Sequence, residues 1–385
     1  MSAGGLGLVL TGGGARGAYQ VGVLRAFCRA APGADFDVLT GVSAGALNAA
    51  FLAGADGPLA ERVERLRDLW LGLEVGAVIE VADRWFLKNV LRVGLMLLGG
   101  GRGARLRTRG LVDTGPLAEL LAGALDVAPD GRLRGVAKQV AAGRHRAVAV
   151  TGSCYASGRT VTWVAHDPAA APELKLWERP NRVARAGDLR LEHVLASSAL
   201  PLLFPAIAVD GAWFGDGGVR LTAPLAPAIH LGADRLLTIA TRFAGRDERP
   251  PIDAADGKRG YPPPALVAGN LLNAIFLDLV DQDVLHLERI NALVSGLPPE
   301  QRLGLKRVQQ SVVRPSENLG TLANDFEARL PRGLRFLTRG LGTRETRSND
   351  FLSLLMFQRD YVEHLIETGE RDGAAHAAEF AALAG

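Results

Sequence analysis

The chain has 385 residues, 48% hydrophobic and 22% charged, with a formal net charge of +3. This balance excludes a disordered or fibrous protein, and so small a positive excess argues against nucleic acid as a partner, which would want a dense basic face. At about 150 residues per domain, the length suits one large domain with an appendage, or two domains.

Gly4–Leu10 lacks the cationic start of a signal peptide, and Leu6–Leu10 reads as a buried first strand. Gly12–Gly14 is a turn and Ala15–Ala30 a helix with Val21, Leu24 and Phe27 on one face. A second strand, Asp37–Val42, and a second helix, Ala44–Leu52, follow. Strand, turn and helix in repetition are the grammar of a parallel sheet with helices on its faces. Residues 58–72 form an amphipathic helix opened by Pro58 and ended near Gly72. Residues 114–142 hold two more, Thr114–Ala124 being capped by Thr114 with Pro116 in its first turn. His145–Thr151 and Arg159–Ala165 read as strands and Ala206–Phe214 as a hairpin around Asp210-Gly211. Ala223–Leu231 reads as a helix and Arg235–Thr241 as a buried strand.

Residues 85–98 are apolar except for a stripe of Lys88, Asn89 and Arg92, and are too short to span a bilayer. Gly99-Gly100-Gly101 and Arg102, Arg105, Arg107 and Arg109 follow. The segment suits either a lid or anchor on anionic lipid, or a core helix whose charged stripe reaches water. Arg246–Pro264 is polar and proline-bearing, a linker or surface excursion. Helices dominate from about Leu266, apart from a strand at Arg307–Arg314, and the apolar run Phe351–Phe357 is expected to pack over the sheet or the site mouth. No run of about 18 apolar residues occurs, and two cysteines, Cys28 and Cys154, make neither a disulfide framework nor a four-thiolate metal site. A cytoplasmic chain is expected.

Gly41-Val42-Ser43-Ala44-Gly45 matches the G-x-S-x-G elbow. A serine on a sharp strand-to-helix turn sits on strained backbone, needs small neighbours, and presents its hydroxyl at the head of a helix. Thr11-Gly12-Gly13-Gly14-Ala15-Arg16-Gly17 exposes a row of backbone N–H groups suited to an anion, such as the oxyanion of acyl transfer. Arg16 fits an anion-facing or a salt-bridging role. Gly12, Gly14 and Gly17 also satisfy the dinucleotide fingerprint G-x-G-x-x-G, with Asp35 and Asp37 about 20 residues on. A ribose-binding acid belongs at the carboxyl end of the second strand, however, whereas Asp35 precedes that strand and Asp37 stands at its start; Ser43 stands at its end. In Phe214-Gly215-Asp216-Gly217-Gly218 an acid follows the hairpin strand, flanked by glycines that permit close approach to another loop. Alone, it reads equally as a turn.

Together these segments resemble the patatin-like phospholipase family. The likeness lies in Leu8-Val9-Leu10-Thr11-Gly12-Gly13-Gly14-Ala15-Arg16-Gly17, in Gly41–Gly45, in Ala196-Ser197-Ser198-Ala199-Leu200-Pro201-Leu202-Leu203-Phe204-Pro205, and in Asp216-Gly217-Gly218. It covers about residues 6–242 in the family's order and implies an α/β, three-layer fold with a largely parallel central sheet. A catalytic domain over 6–242, with a lid-like insertion at 74–112, would carry a mainly helical region, 243–385, packed on it. The resemblance further implies a Ser43–Asp216 dyad, oxyanion donors at Gly12, Gly13 and Gly14, and support from Arg16, Gly41, Gly45, Gly217 and Gly218. It implies no cofactor or metal, and as substrate a phospholipid, lysophospholipid or other acyl-ester lipid. Residues 85–109 would touch the inner face of a membrane. A dinucleotide-binding oxidoreductase, or a catalytically silent lipid-binding protein of the same fold, are the alternatives. An ordinary α/β-hydrolase places several strands before its serine and a histidine last, whereas two strands precede Ser43 here; His286 is the fallback third member. An aspartate base needs a desolvated pocket and a bond to the serine, so Asp216 is expected to be buried within reach of Ser43.

Overall fold

The computed structural model describes residues 5–78, 110, 112–172, 174–201, 203–243, 267, 279–331, 335, 339 and 349–385. The apolar run 85–98, the arginines at 102–109 and the stretch 246–264 lie outside them. In chain order, β1 (Gly5–Leu10) leads to α1 (Gly17–Ala30), β2 (Val38–Val42), α2 (Ala44–Gly54) and α3 (Leu59–Leu71). Then come α4 (Val75–Val78), α5 (Gly115–Ala124), α6 (Arg134–Ala141), β3 (Ala147–Cys154), β4 (Thr160–His166), β5 (Glu178–Arg179), β6 (Arg182–Ala186) and α7 (Leu191–Ser197). The hairpin β7 (Ile207–Val209) and β8 (Ala212–Asp216) precedes α8 (Ala226–His230), β9 (Ala233–Ile239), α9 (Leu279–Ser295) and β10 (Gln309–Val313). The described chain closes with α10 (Leu319–Phe326), α11 (Asp350–Leu355), α12 (Arg359–Ala375) and α13 (Ala377–Ala384).

Strands β10, β9, β1, β2 and β3 lie side by side and parallel. Beyond β3 the sheet turns mixed: β4 and β8 both pair with β3 antiparallel, β8 through its carboxyl-end residues Gly152–Cys154. Side chains alternate across the sheet as period two requires. Leu6, Leu8 and Leu10 of β1 join Val148 and Val150 of β3 beneath α1, α2, α3 and α12, while Val9, Ala147 and Ala149 face α8 and α9. The result is a three-layer α/β fold with a mostly parallel central sheet.

The chain after residue 243 shares this core. β10 extends the parallel ladder beside β9, and α12 lies along α1, with the Tyr19 hydroxyl donating to Asp372 Oδ2 at 3.0 Å. Four features differ from the sequence reading. β5, β6 and α7 were not anticipated: Arg182–Ala186 alternates arginine with small residues at a half-exposed edge, so it carries little hydrophobic signal. Thr114 occupies the cap position of α5 but makes no side-chain cap bond; Asp113 Oδ1 accepts from the Gly115 N–H at 2.9 Å instead.

The α1–α12 crossing depends on absent side chains. A Cβ on Gly22 would strike the Ile366 carbonyl, and one on Gly369 the Tyr19 carbonyl, both rigid backbone. Gly369→Val should therefore lower stability by about 3 kcal/mol, the upper range for overpacking, as read by urea unfolding. An unchanged midpoint would show that the two helices can part without loss.

Candidate active site

Ser43 stands where β2 gives way to α2, with φ 55° and ψ −128°, a conformation strained for any residue but glycine. The turn is sharp enough that a Cβ on Gly41 would meet the Gly45 carbonyl, and one on Gly45 the Leu10 carbonyl. Two serines at the end of α7 clamp this backbone. Ser197 Oγ accepts from the Ser43 N–H at 2.9 Å while donating to the Thr151 carbonyl at 2.6 Å, and Ser198 Oγ donates to the Ser43 carbonyl at 3.1 Å. The next residue, Ala199, accepts through its carbonyl from the Asp216 N–H at 2.9 Å. Three consecutive residues thus tie the serine loop to the acid.

Asp216 ends β8 opposite Gly152 and is fully buried, at 0% exposure. Its Oδ1 accepts from the Gly218 N–H at 2.8 Å, and the Gly217 carbonyl accepts from Ser153 Oγ at 3.4 Å. Burial pushes the Asp216 carboxyl up to about 7; the Ser43 hydroxyl and the Gly218 N–H pull the other way as donors to the carboxylate. The Ser43 bond is loose, because Oδ2 has no partner within ordinary hydrogen-bond limits. Loose contacts of this kind are common in unliganded sites.

The glycine loop follows β1 on the same carboxyl edge of the sheet. A Cβ on Gly12 would lie 3.0 Å from Ser43 Cβ, so the loop abuts the serine. Thr241 Oγ1 donates to the Gly12 carbonyl at 2.5 Å and Gln20 Nε2 to the Thr11 carbonyl at 2.8 Å. In a trans peptide the N–H opposes the C=O, so these bonds turn the N–H groups of Gly13 and Gly12 the other way. Among the described residues none accepts a hydrogen bond from the N–H of Gly12, Gly13 or Gly14. Arg16 is buried and faces away: it donates to Asp350 Oδ1 at 2.6 Å and from Nε to Ser353 Oγ at 2.7 Å, both on α11. The Leu354 carbonyl of α11 also lies where a Cβ on Gly14 would be.

A family model of patatin-like phospholipases matches residues 8–229. The chain belongs to the patatin-like phospholipase family. That makes it, by class, a lipid ester hydrolase. Similar solved structures include VipD from Legionella pneumophila, 14% identical with a TM-score of 0.37, covering 95% of this chain and 67% of that one. Human GIVD cytosolic phospholipase A2 in complex with methyl gamma-linolenyl fluorophosphonate is 13% identical with a TM-score of 0.43, covering 98% and 58%. The type III effector protein ExoU is 15% identical with a TM-score of 0.35, covering 97% and 53%. No curated protein sequence matches significantly.

Beside Ser43 this patatin-like chain has a narrow cavity of about 40 Å³ with an apolar lining that includes Leu47, Trp70, Leu73, Leu117 and Phe357. Beneath it runs a buried chain of bonds: Trp70 Nε1 donates to Asn48 Oδ1 at 2.8 Å, and Asn48 Nδ2 to Gln20 Oε1 at 2.8 Å, from which Gln20 reaches the glycine loop. The sequence analysis assigned no role to Gln20, Asn48, Ser197, Ser198 or Thr241. A stretch containing both serines stood among the matching segments, and that was their only signal.

The other candidates lie elsewhere. His286 is exposed on α9, where its charge acts on Asp283 rather than on Asp216. His193 stacks on Trp163 at 4.5 Å and burial pushes it down to about 4, a neutral packing role. Asp37 Oδ2 accepts from the Leu6 N–H at 2.7 Å and Asp35 pairs with Arg62, both at the sheet edge opposite the glycine loop. Among the described residues no cluster of histidine, cysteine or carboxylate side chains could hold a metal, and no helix is long and apolar enough to cross a membrane.

The raised pKa of Asp216 has a signature in stability. An unfolded aspartate ionises near 3.8, whereas this one ionises near 7 when folded. Between those values the folded chain holds a proton that the unfolded chain has lost, so this group makes stability fall as pH rises, by at most about 1.4 kcal/mol per pH unit. Asp216→Asn removes that decline. Denaturant unfolding at pH 4, 5.5 and 8 should show the variant gaining on the wild type with rising pH; parallel curves would contradict a perturbed carboxyl.

Proposed function

We propose that the chain is a serine lipid acyl hydrolase of the phospholipase A or lysophospholipase type, working through a Ser43–Asp216 dyad. The observation that carries this reading is Asp216 itself: a fully buried carboxyl, raised to about 7 by desolvation, near enough to the Ser43 hydroxyl to feel it and with Oδ2 left without a partner among the described residues. A carboxylate of that basicity is matched to accepting a proton near neutral pH, which an ordinary aspartate is not.

In the proposed reaction Asp216 takes the Ser43 proton as Oγ attacks the ester carbonyl. The carbonyl oxygen becomes an oxyanion held by the N–H groups of Gly12, Gly13 and Gly14, aided by the amino end of α2. Collapse expels the alcohol, to which Asp216 returns the proton, leaving an acyl-serine. Water then attacks the acyl-serine, giving its proton to Asp216. As the acyl C–Oγ bond breaks, Asp216 passes that proton to Ser43 Oγ and the fatty acid leaves. The apolar cavity is suited to the acyl chain, with each buried methylene contributing about 0.8 kcal/mol. At about 40 Å³ it is far smaller than a lipid tail, so binding requires its walls to part.

A fluorophosphonate probe tests the nucleophile. The wild type should label at one serine and Ser43→Ala should not; an unlabelled wild type, or an equally labelled variant, would overturn the reading. Asp216→Asn should lose at least about a hundredfold in ester hydrolysis. For the wild type, kcat/KM on a soluble ester should rise about tenfold per pH unit up to a pH near 7 and then level, because only ionised Asp216 accepts the proton. A flat profile between pH 5 and 8 would remove Asp216 as the base.

A further inference from the structure

The turn joining β3 to β4 carries features that the proposed chemistry does not use. Phe214 and Asp216 point into the core, so Trp213 and Gly215 face the opposite side of β8. Tyr155 lies over Gly215, where a Cβ would collide with its hydroxyl, and its N–H donates to the Trp213 carbonyl at 2.9 Å. Tyr155 is 50% exposed and Trp213 54%. Two large aromatic side chains thus stand next to each other in solvent at the carboxyl edge of the sheet that holds Ser43 and the glycine loop. Tyr155 is close enough to Asp216 for that carboxylate to raise its own pKa, after the larger effect of burial.

Arginines lie at this turn and along the neighbouring β4–β6–β5 edge. Arg220 reaches the turn, its guanidinium 3.2 Å from where a Cβ on Gly158 would be, and its carbonyl accepts from Thr160 Oγ1 at 3.0 Å. Arg159 donates to the Arg179 carbonyl at 2.8 Å, Arg182 stands opposite Thr160 in the β4–β6 ladder, and Arg185 is near enough to act on the Cys154 thiol. Of these five, Arg159 pairs with Glu178 at 3.1 Å. Arg179, Arg182, Arg185 and Arg220 form no ion pair with any described residue, although Arg182 acts at longer range on Asp283.

We propose that Tyr155, Trp213 and the arginines at 159, 179, 182 and 220 form a docking face for an anionic lipid bilayer; Arg185, opposite Trp163 in the ladder, stands on the Phe214 side of the sheet and takes no part. The choice of partner rests on the reading of the chain as a lipid hydrolase and on charge complementarity. Tyrosine and tryptophan are the side chains that settle at headgroup level, with the ring in the apolar layer and the polar edge in water. Unpaired arginines beside them are drawn to anionic headgroups. None of these residues falls within 85–109, and the face meets the membrane with the strand ends that carry Ser43 and Asp216.

The test uses the full chain carrying Ser43→Ala, so that vesicles are not hydrolysed, with phosphatidylcholine vesicles with and without phosphatidylglycerol. The protein should sediment with the anionic vesicles, weakly with the neutral ones, and less as salt rises. Adding Arg182→Gln and Arg220→Gln should weaken binding about thirtyfold, the expectation for two cations near an anionic surface. Brominated lipid should quench a fluorescence component that Trp213→Phe removes. In the Ser43 background, Arg182→Gln/Arg220→Gln should keep wild-type hydrolysis of a soluble short-chain ester, which reports on folding and on the dyad separately. No binding by the parent, equal binding to neutral vesicles, unchanged binding by the arginine variant, or an oligonucleotide that outcompetes the vesicles would each overturn the proposal.

Discussion

A buried carboxyl group, with no cation beside it among the described residues, adjoins a serine on strained backbone, and the rest of the site is arranged around that pair. Left alone, Asp216 would keep its proton and Ser43 would relax out of its positive φ, a conformation costing on the order of 1–3 kcal/mol. Packing prevents both. The β3–β8 ladder fixes the acid, the β2–α2 turn fixes the serine, and Ser197, Ser198 and Ala199 bind the two loops to each other through backbone groups. Uncharged hydrogen bonds are suited to this, because a cation near Asp216 would lower its pKa and remove the basicity that the proposed reaction needs.

The glycine loop is held from two directions. From below, Gln20 and Thr241 take its carbonyls and leave the opposing N–H groups free. From the carboxyl-terminal part of the chain, α11 receives Arg16 and lays the Leu354 carbonyl against Gly14. Residues 349–385 therefore touch the site itself and do not merely cover the sheet. α12 holds them in place through a helix crossing close enough to exclude side chains at Gly22 and Gly369. Arg16 is thereby spent on structure, although a guanidinium in an anion-binding loop could equally have faced a ligand.

Legibility followed the range of the interactions. β1, α1, β2, α2 and α3 lie within two or three residues of the ranges read from hydrophobic period, proline and glycine, because local propensity and burial agree there. The Asp210-Gly211 turn, with both residues at positive φ, was readable for the same reason. Strands β5 and β6 were not, since their arginines give no apolar pattern and only the pairing of β6 with β4, and of β5 with β6, makes them strands. Ser197 reaches Ser43 across 154 positions and Thr241 reaches Gly12 across 229. A single serine or threonine carries no local mark of such a partner.

The sequence by itself determined the alternation of strand and helix, the elbow around Ser43, and the three short segments that mark the family, because each depends on a few neighbouring residues whose size or backbone freedom is decisive. Only the tertiary structure decided what those segments do for one another. It turned Arg16 toward α11, left His286 in solvent, joined the last third of the chain to the same sheet, and buried the Asp216 carboxyl. Burial and long-range hydrogen bonding belong to the assembled fold, and the basicity of a carboxyl depends on both.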